Sequence, residues 1–204
     1  MFKVQLIVGL IRFLGVHSLS IVNEPLRNRL NASMGEGAFK GLYSVVSLIG
    51  LVLIVWGYGA ARMDPTVIYV PPAWLTHVAF LLLVPVFPLL FATYFPGKIK
   101  ANLGHPMLVA VKLWALAHLL ANGMLHDLLL FGSFLAWAVA DRISMKRRTQ
   151  RAIPTLPATK ANDVIAVVGG PAVYGVMVVW GTSGLVCGAP RLLTETRRRR
   201  RDGG

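Results

Sequence analysis

Five histidines, His17, His77, His105, His118 and His126, carry most of the chemistry this chain is equipped for. A neutral imidazole ligates a metal through one ring nitrogen while the other donates a hydrogen bond. Four of the five lie in or beside long apolar stretches, and His105 stands just ahead of another. Ionisable side chains inside a bilayer are costly and usually face the interior of a helix bundle, so they are the first place to look for function. His118 sits in Leu113-Trp114-Ala115-Leu116-Ala117-His118-Leu119-Leu120-Ala121-Asn122. Trp114 and Asn122 are four residues to either side and share its helical face, with Lys112 on a neighbouring one. His17 precedes Ser18, and Arg12 lies deeper in the same block. His105 occupies Gly104-His105-Pro106, where ligation competes with simple capping of a helix. His77 and His126 lie near block ends and are weaker candidates.

Histidines without a carboxylate cluster suit haem better than a carboxylate-ligated metal, with two helices each supplying one axial imidazole. Depth constrains the pair. At 1.5 Å per residue, His118 lies about 17 Å from the cytoplasmic end of its block and His17 about 6–12 Å from its own. His105 matches His17 better, so periodicity leaves the pair open. The single cysteine, Cys187, excludes an internal disulfide and any multi-cysteine zinc or iron–sulfur site. The sequence has no glycine-rich phosphate loop, no His-Glu-x-x-His and no Ser/His/Asp set at a usable spacing.

The elements that must hold these side chains are membrane helices. Of 204 residues 55% are hydrophobic and only 14% charged, with a mean hydropathy of +0.63. Such a chain cannot cover its surface with polar groups in water. Six apolar blocks approach the roughly 20 residues a spanning helix needs: 2–21, 39–61, 74–95, 107–121, 124–140 and 164–187. The expected fold is all-α, a polytopic membrane bundle of about six transmembrane helices over residues 1–190, followed by a disordered basic tail at 191–204. Five crossings are the alternative. The first block lacks a small-x-small cleavage site and reads as a retained helix.

Smaller signals agree. Asn122-Gly123 marks a tight helical hairpin between the fourth and fifth blocks. Pro85 and Pro88 predict a kink in the third. Gly41, Ser44, Ser47 and Gly50 form a line of small residues where another backbone can approach. Trp56, Tyr58, Tyr69 and Trp74 resemble interface-belt aromatics. The net charge of +13 points to anionic lipid rather than nucleic acid, because the positives gather between apolar blocks. With six crossings, eleven Lys and Arg fall on one side, among them Arg27, Lys40, Lys98 and Arg142 to Lys160. The other side holds three besides the Arg197–Arg201 run. The first side is therefore expected to be cytoplasmic, in a multi-pass membrane protein.

Several stretches carry a family resemblance: Gly15-Val-His17-Ser18, Phe39-Lys-Gly-Leu-Tyr43-Ser44, Leu53-Ile-Val-Trp56-Gly57-Tyr58, Tyr69-Val-Pro-Pro72 and Pro96-Gly-Lys-Ile-Lys100. The most specific is Gly104-His-Pro-Met-Leu108 followed by Lys112-Leu-Trp-Ala-Leu-Ala-His-Leu-Leu-Ala-Asn-Gly123; Leu130 to Trp137 then follows. The chain resembles the NnrU family of bacterial membrane proteins, strongly over residues 1–150 and less beyond. The histidine that members usually carry near the C terminus is absent here, where Gly181-Thr-Ser-Gly-Leu-Val-Cys-Gly188 stands.

The resemblance implies a part in denitrification, in nitrite and nitric oxide reduction. The family is related to 15-cis-zeta-carotene isomerase, a haem b membrane enzyme. That relation implies haem b on this chain, with His17 and His118 as iron ligands and His105 as a further cofactor-binding residue. Ala115 stands where the relative has a cysteine, so no thiolate ligand comes from that position. The implied function is support of nitrogen-oxide respiration, with denitrification enzymes as partners, or cis–trans isomerisation of a polyene substrate. Two other classes stay open: a membrane methyltransferase of the isoprenylcysteine type, for which Gly104 replaces the expected arginine, and a non-catalytic assembly factor.

Overall fold

The computed structural model describes residues 2–148, 155–159 and 161–184. Its helices, in chain order, are α1 (Phe2–Val22), α2 (Glu24–Met34), α3 (Glu36–Ala61), α4 (Ala73–Leu83), α5 (Val86–Tyr94), α6 (Lys98–Leu103), α7 (Pro106–Ala121), α8 (Leu125–Ser144) and α9 (Ala161–Gly184). Cys187, the arginine run and the basic tail lie outside the described residues, as does the end of the sixth apolar block.

The helices are laid side by side as α3, α1, α8, α7, the α4–α5 pair, then α9, each touching the next. The end holding the starts of α1 and α8 is called upper here, the opposite end lower. Four helical stretches are long and apolar enough to cross a membrane: Val4–Val22, Glu36–Ala61, Ala73–Tyr94 and Ala161–Val179. α7 is apolar but has only 16 residues, about 24 Å of helix against a hydrocarbon core of about 30 Å. α8 spans 20 residues, with Asp127 in its first turn and Asp141 and Arg142 near its end. Large apolar side chains point outward along the long helices, as at Leu48, Val52 and Val55 of α3 and Val168 and Val176 of α9. That reverses the pattern of a soluble surface and suits a lipid solvent.

Proline does what its chemistry requires. The third apolar block is broken at Val84-Pro85 into α4 and α5, because Pro85 has no N–H to continue the ladder. The expected line of small residues is only partly used. A close backbone approach joins α1 and α3 through Gly50, Gly57 and Gly9. A Cβ at Gly50 would stand 2.8 Å from the Phe13 nitrogen, and one at Gly57 would meet the Leu6 backbone. Gly41 has nothing near it, and it and Ser44 stay exposed. The real contact line repeats every seven residues along α3 and needs a third glycine from α1.

The connections are built more than their composition suggests. Asn23 caps α2, its Oδ1 accepting from Leu26 N at 2.9 Å, with Pro25 in the first turn. The α3–α4 connection crosses the hairpin between α7 and α8. Gly123 O accepts from Ile68 N at 2.8 Å and Tyr69 N at 3.1 Å, and Thr66 O accepts from Leu125 N at 2.8 Å. The Tyr69 hydroxyl donates to the Leu119 and Asn122 carbonyls, covering the end of α7. At the lower end, α9 is fastened by its first turn. Asp163 accepts from Lys98 N at 2.8 Å and Ile99 N at 3.2 Å, and Asn162 Nδ2 donates to Pro96 O and Pro157 O, each at 2.9 Å.

Candidate functional site

α1 and α7 flank α8, and both turn a histidine toward an aromatic stripe on it: Phe131, Phe134 and Trp137, spaced by three. His17, on α1, stacks on Phe13 with ring centroids 4.3 Å apart, meets Trp137 edge-on at 6.1 Å and leans on Tyr43 at 5.1 Å. His118, on α7, stacks on Phe131 at 4.3 Å and touches Trp114 at 5.4 Å. Both are half-buried.

The two imidazoles are prepared in the same way. His17 Nδ1 lies 2.7 Å from Phe13 O, and His118 Nδ1 lies 2.9 Å from Trp114 O, each one helical turn back. A carbonyl oxygen only accepts, so both Nδ1 atoms carry the proton. In the neutral ring Nε2 then holds a free lone pair, the form that binds a metal. The shared face of Trp114, His118 and Asn122 is present, and Asn122 Nδ2 donates to His118 O at 3.0 Å.

Position separates them. His17 is level with Trp137 and His118 with Phe131, six residues apart on α8, or about 9 Å along its axis. A file of rings joins the two: Trp114 to Phe134 at 5.6 Å, then Phe134 to Phe13 at 5.8 Å. Two imidazoles on one metal need their Nε2 atoms about 4 Å apart, at about 2 Å per bond. Each histidine therefore fits a ligand's role by its donor chemistry. As a pair they fit one iron only if Phe134 and Trp114 move aside.

Two unpaired polar atoms lie at the level of the lower histidine. The close pairs Leu6 with Gly57 and Phe13 with Gly50 set the α1–α3 register, which puts Ser47 level with His17. Ser47 Oγ and Trp137 Nε1 are buried without a hydrogen-bond partner. Gln5 Oε1 and Asn31 Oδ1 share that condition elsewhere. Buried N–H groups left unpaired are rare, and a bound group is one partner that would satisfy the Trp137 indole.

The other candidates go elsewhere. His105 is the N-cap residue of α7, yet its side chain makes no capping bond. Burial, with Arg142 nearby, holds its pKa below the ordinary value. It stands at the lower end and makes no ring contact with His17 or His118. His77 is exposed. His126 is buried against Tyr58, at 5.2 Å between rings, and its Nε2 lies 3.8 Å from Asp127 Oδ1. Tyr58 is thus no belt residue, because its hydroxyl donates to Asp127 at 2.6 Å. Trp56 and Trp74 do face outward. Arg12 is exposed on α1 and Lys112 half-buried on α7. Among the described residues, no group of three or more His, Cys, Asp or Glu could hold a metal ion.

Sequence reasoning overlooked the α8 stripe. Its three-residue spacing was visible, but an aromatic in an apolar helix has no chemistry until a histidine is seen against it. It also overlooked the Tyr58–Asp127 bond, whose partners are 69 residues apart.

A family model described as NnrU protein matches residues 5–189, most of the chain. No curated protein matches, and no solved structure matches.

Proposed function

From the chain's membership of the NnrU family, we propose that it is a membrane haem b protein serving nitrite and nitric oxide reduction, with His17 and His118 as the iron's ligands. One observation carries the haem part: both intramembrane histidines hold Nδ1–H on the carbonyl one turn back and keep Nε2 free. The nitrogen-oxide part rests on what the family resemblance implies. Haem held by two histidines would supply one-electron redox chemistry, the electron transfer that nitrogen-oxide reduction needs.

The chain's own residues do the rest. The Phe13 and Trp114 carbonyls fix tautomer and ring orientation and make Nε2 more basic. Phe131 against His118 and Trp137 against His17 form apolar walls that exclude water from the ligands, while Phe134 and Trp114 would have to swing aside to let both histidines reach one iron. Trp137 Nε1–H, unpaired beside His17, supplies one donor for a polar edge of the bound group. No observation favours a polyene isomerase. The two crevices at the lower end of α1 are lined by neither histidine.

The test is the absorption spectrum of the purified chain. Wild type should show a haem Soret band, His118→Ala and His17→Ala should lose most of it, and His126→Ala should keep it. A wild-type protein without haem when expressed with ample haem supply overturns the reading. A His118→Ala variant with full haem content removes His118 as a ligand.

A further inference from the structure

A crevice of about 240 Å³ opens between α1, α2 and α3 at the lower end, lined by Val16, Leu19, Ser20, Arg27, Phe39, Lys40 and Tyr43. Its polar and apolar groups are segregated. Val16, Leu19 and Phe39 form the apolar part, and Arg27 and Lys40 bring two cations to one cleft with no acid in its lining. Neither cation is firmly engaged. Lys40 Nζ pairs with Glu36 Oε1 at 2.6 Å, but both side chains are about 70% exposed, 68% and 71%, and such surface pairs contribute little. Arg27 lies over the Phe39 ring at 5.0 Å, with only Asn28 Oδ1 on its guanidinium at 3.3 Å. That leaves the guanidinium fork open to an oxyanion. The Tyr43 hydroxyl makes no hydrogen bond among the described residues, so it is a third donor.

We propose that this crevice seats the phosphate of an anionic phospholipid headgroup. The donors suit any phosphate, but the apolar part singles out a lipid. Val16 and Leu19 belong to a membrane-spanning helix, so an acyl chain can run along α1 while its phosphate meets Arg27 and Lys40. A free phosphate makes no use of that wall.

The test uses the full chain in a neutral detergent, read by native mass spectrometry. The probes are phosphatidylglycerol and phosphatidylcholine with identical acyl chains, and inorganic phosphate. Phosphatidylglycerol should be retained about fivefold or more over phosphatidylcholine. Arg27→Gln and Lys40→Gln should each cut its retention about fivefold, the worth of one cation at an anionic surface. Arg29→Gln and Lys98→Gln, outside the crevice, should change nothing. Equal retention of the two lipids in the wild type overturns the assignment, whatever the variants do. So does binding of inorganic phosphate without preference for the anionic lipid. Equal losses from Arg29→Gln and Lys98→Gln also overturn it, because diffuse surface charge then explains the binding.

Discussion

Tyr58 donates its hydroxyl to Asp127 Oδ1 at 2.6 Å, joining the upper end of α3 to the first turn of α8. Asp127 is 3% exposed, so water does not share the carboxylate's solvation. Tyr58→Phe keeps the ring and its edge contacts with His126 and Phe131, and removes one donor. The protein should lose about 1–3 kcal/mol, the cost of an unsatisfied buried acceptor. Asp127→Asn keeps an acceptor oxygen and should cost less. Thermal unfolding in detergent measures both, and an unchanged melting temperature for Tyr58→Phe would show that the bond adds nothing.

Two glycines of α3 should respond oppositely. Gly57→Ala pushes a methyl into the Leu6 backbone, where the α1–α3 contact has no slack. About 1–3 kcal/mol should be lost to overpacking. Gly41→Ala meets nothing within 4 Å and should be neutral or stabilising by up to about 1 kcal/mol, since alanine favours helix. Melting temperatures of the pair, measured side by side, decide it.

Asp163 holds α9 to the start of α6 through two backbone N–H groups. Asp163→Ala leaves both donors without an acceptor and should raise proteolytic cutting between residues 95 and 105. Asn162→Ala removes the bonds to Pro96 and Pro157 and should do the same. A cleavage pattern identical to wild type in both variants would mean that α9 is held by its contact with α5 alone.

The connection before α9 should face the cytoplasm, by the distribution of Lys and Arg. Thr155 is exposed there. In a Cys187→Ser background, Thr155→Cys should resist an impermeant thiol reagent in intact cells and react after lysis. Ready labelling of intact cells would reverse the orientation.

His105 should make the fold sensitive to mild acid. Its pKa is held below the ordinary value, first by burial and then by Arg142. A histidine whose folded pKa is depressed stabilises the fold above its unfolded pKa of about 6.5, and that contribution is lost as pH falls through the folded value. Melting temperature should therefore fall as pH drops below about 6.5, and His105→Gln should flatten that part of the profile. An equal drop in the variant would place the acid sensitivity elsewhere.

Hydrophobic run length marked the apolar helices, Pro85 the break at Val84-Pro85, and the Asn-Gly turn the hairpin at Asn122-Gly123. Those are local effects: apolar side chains must leave water, and proline lacks a donor. The identical tautomer of His17 and His118 was nearly as local, since each partner lies four residues back on the same helix. Only the tertiary structure decided which face each helix turns inward. The seven-residue glycine contact between α1 and α3, the α8 stripe between the histidines and the bond from Tyr58 to Asp127 all depend on neighbours far away in sequence. In lipid the apolar effect does not choose between faces, because a leucine is equally at ease against a tail or another helix. Close packing and hydrogen bonds choose instead, and these exist only once the helices have met. The different depths of His17 and His118, about 9 Å apart along α8, were already legible from counting residues within each block; only helix register decided which aromatic rings stand between them.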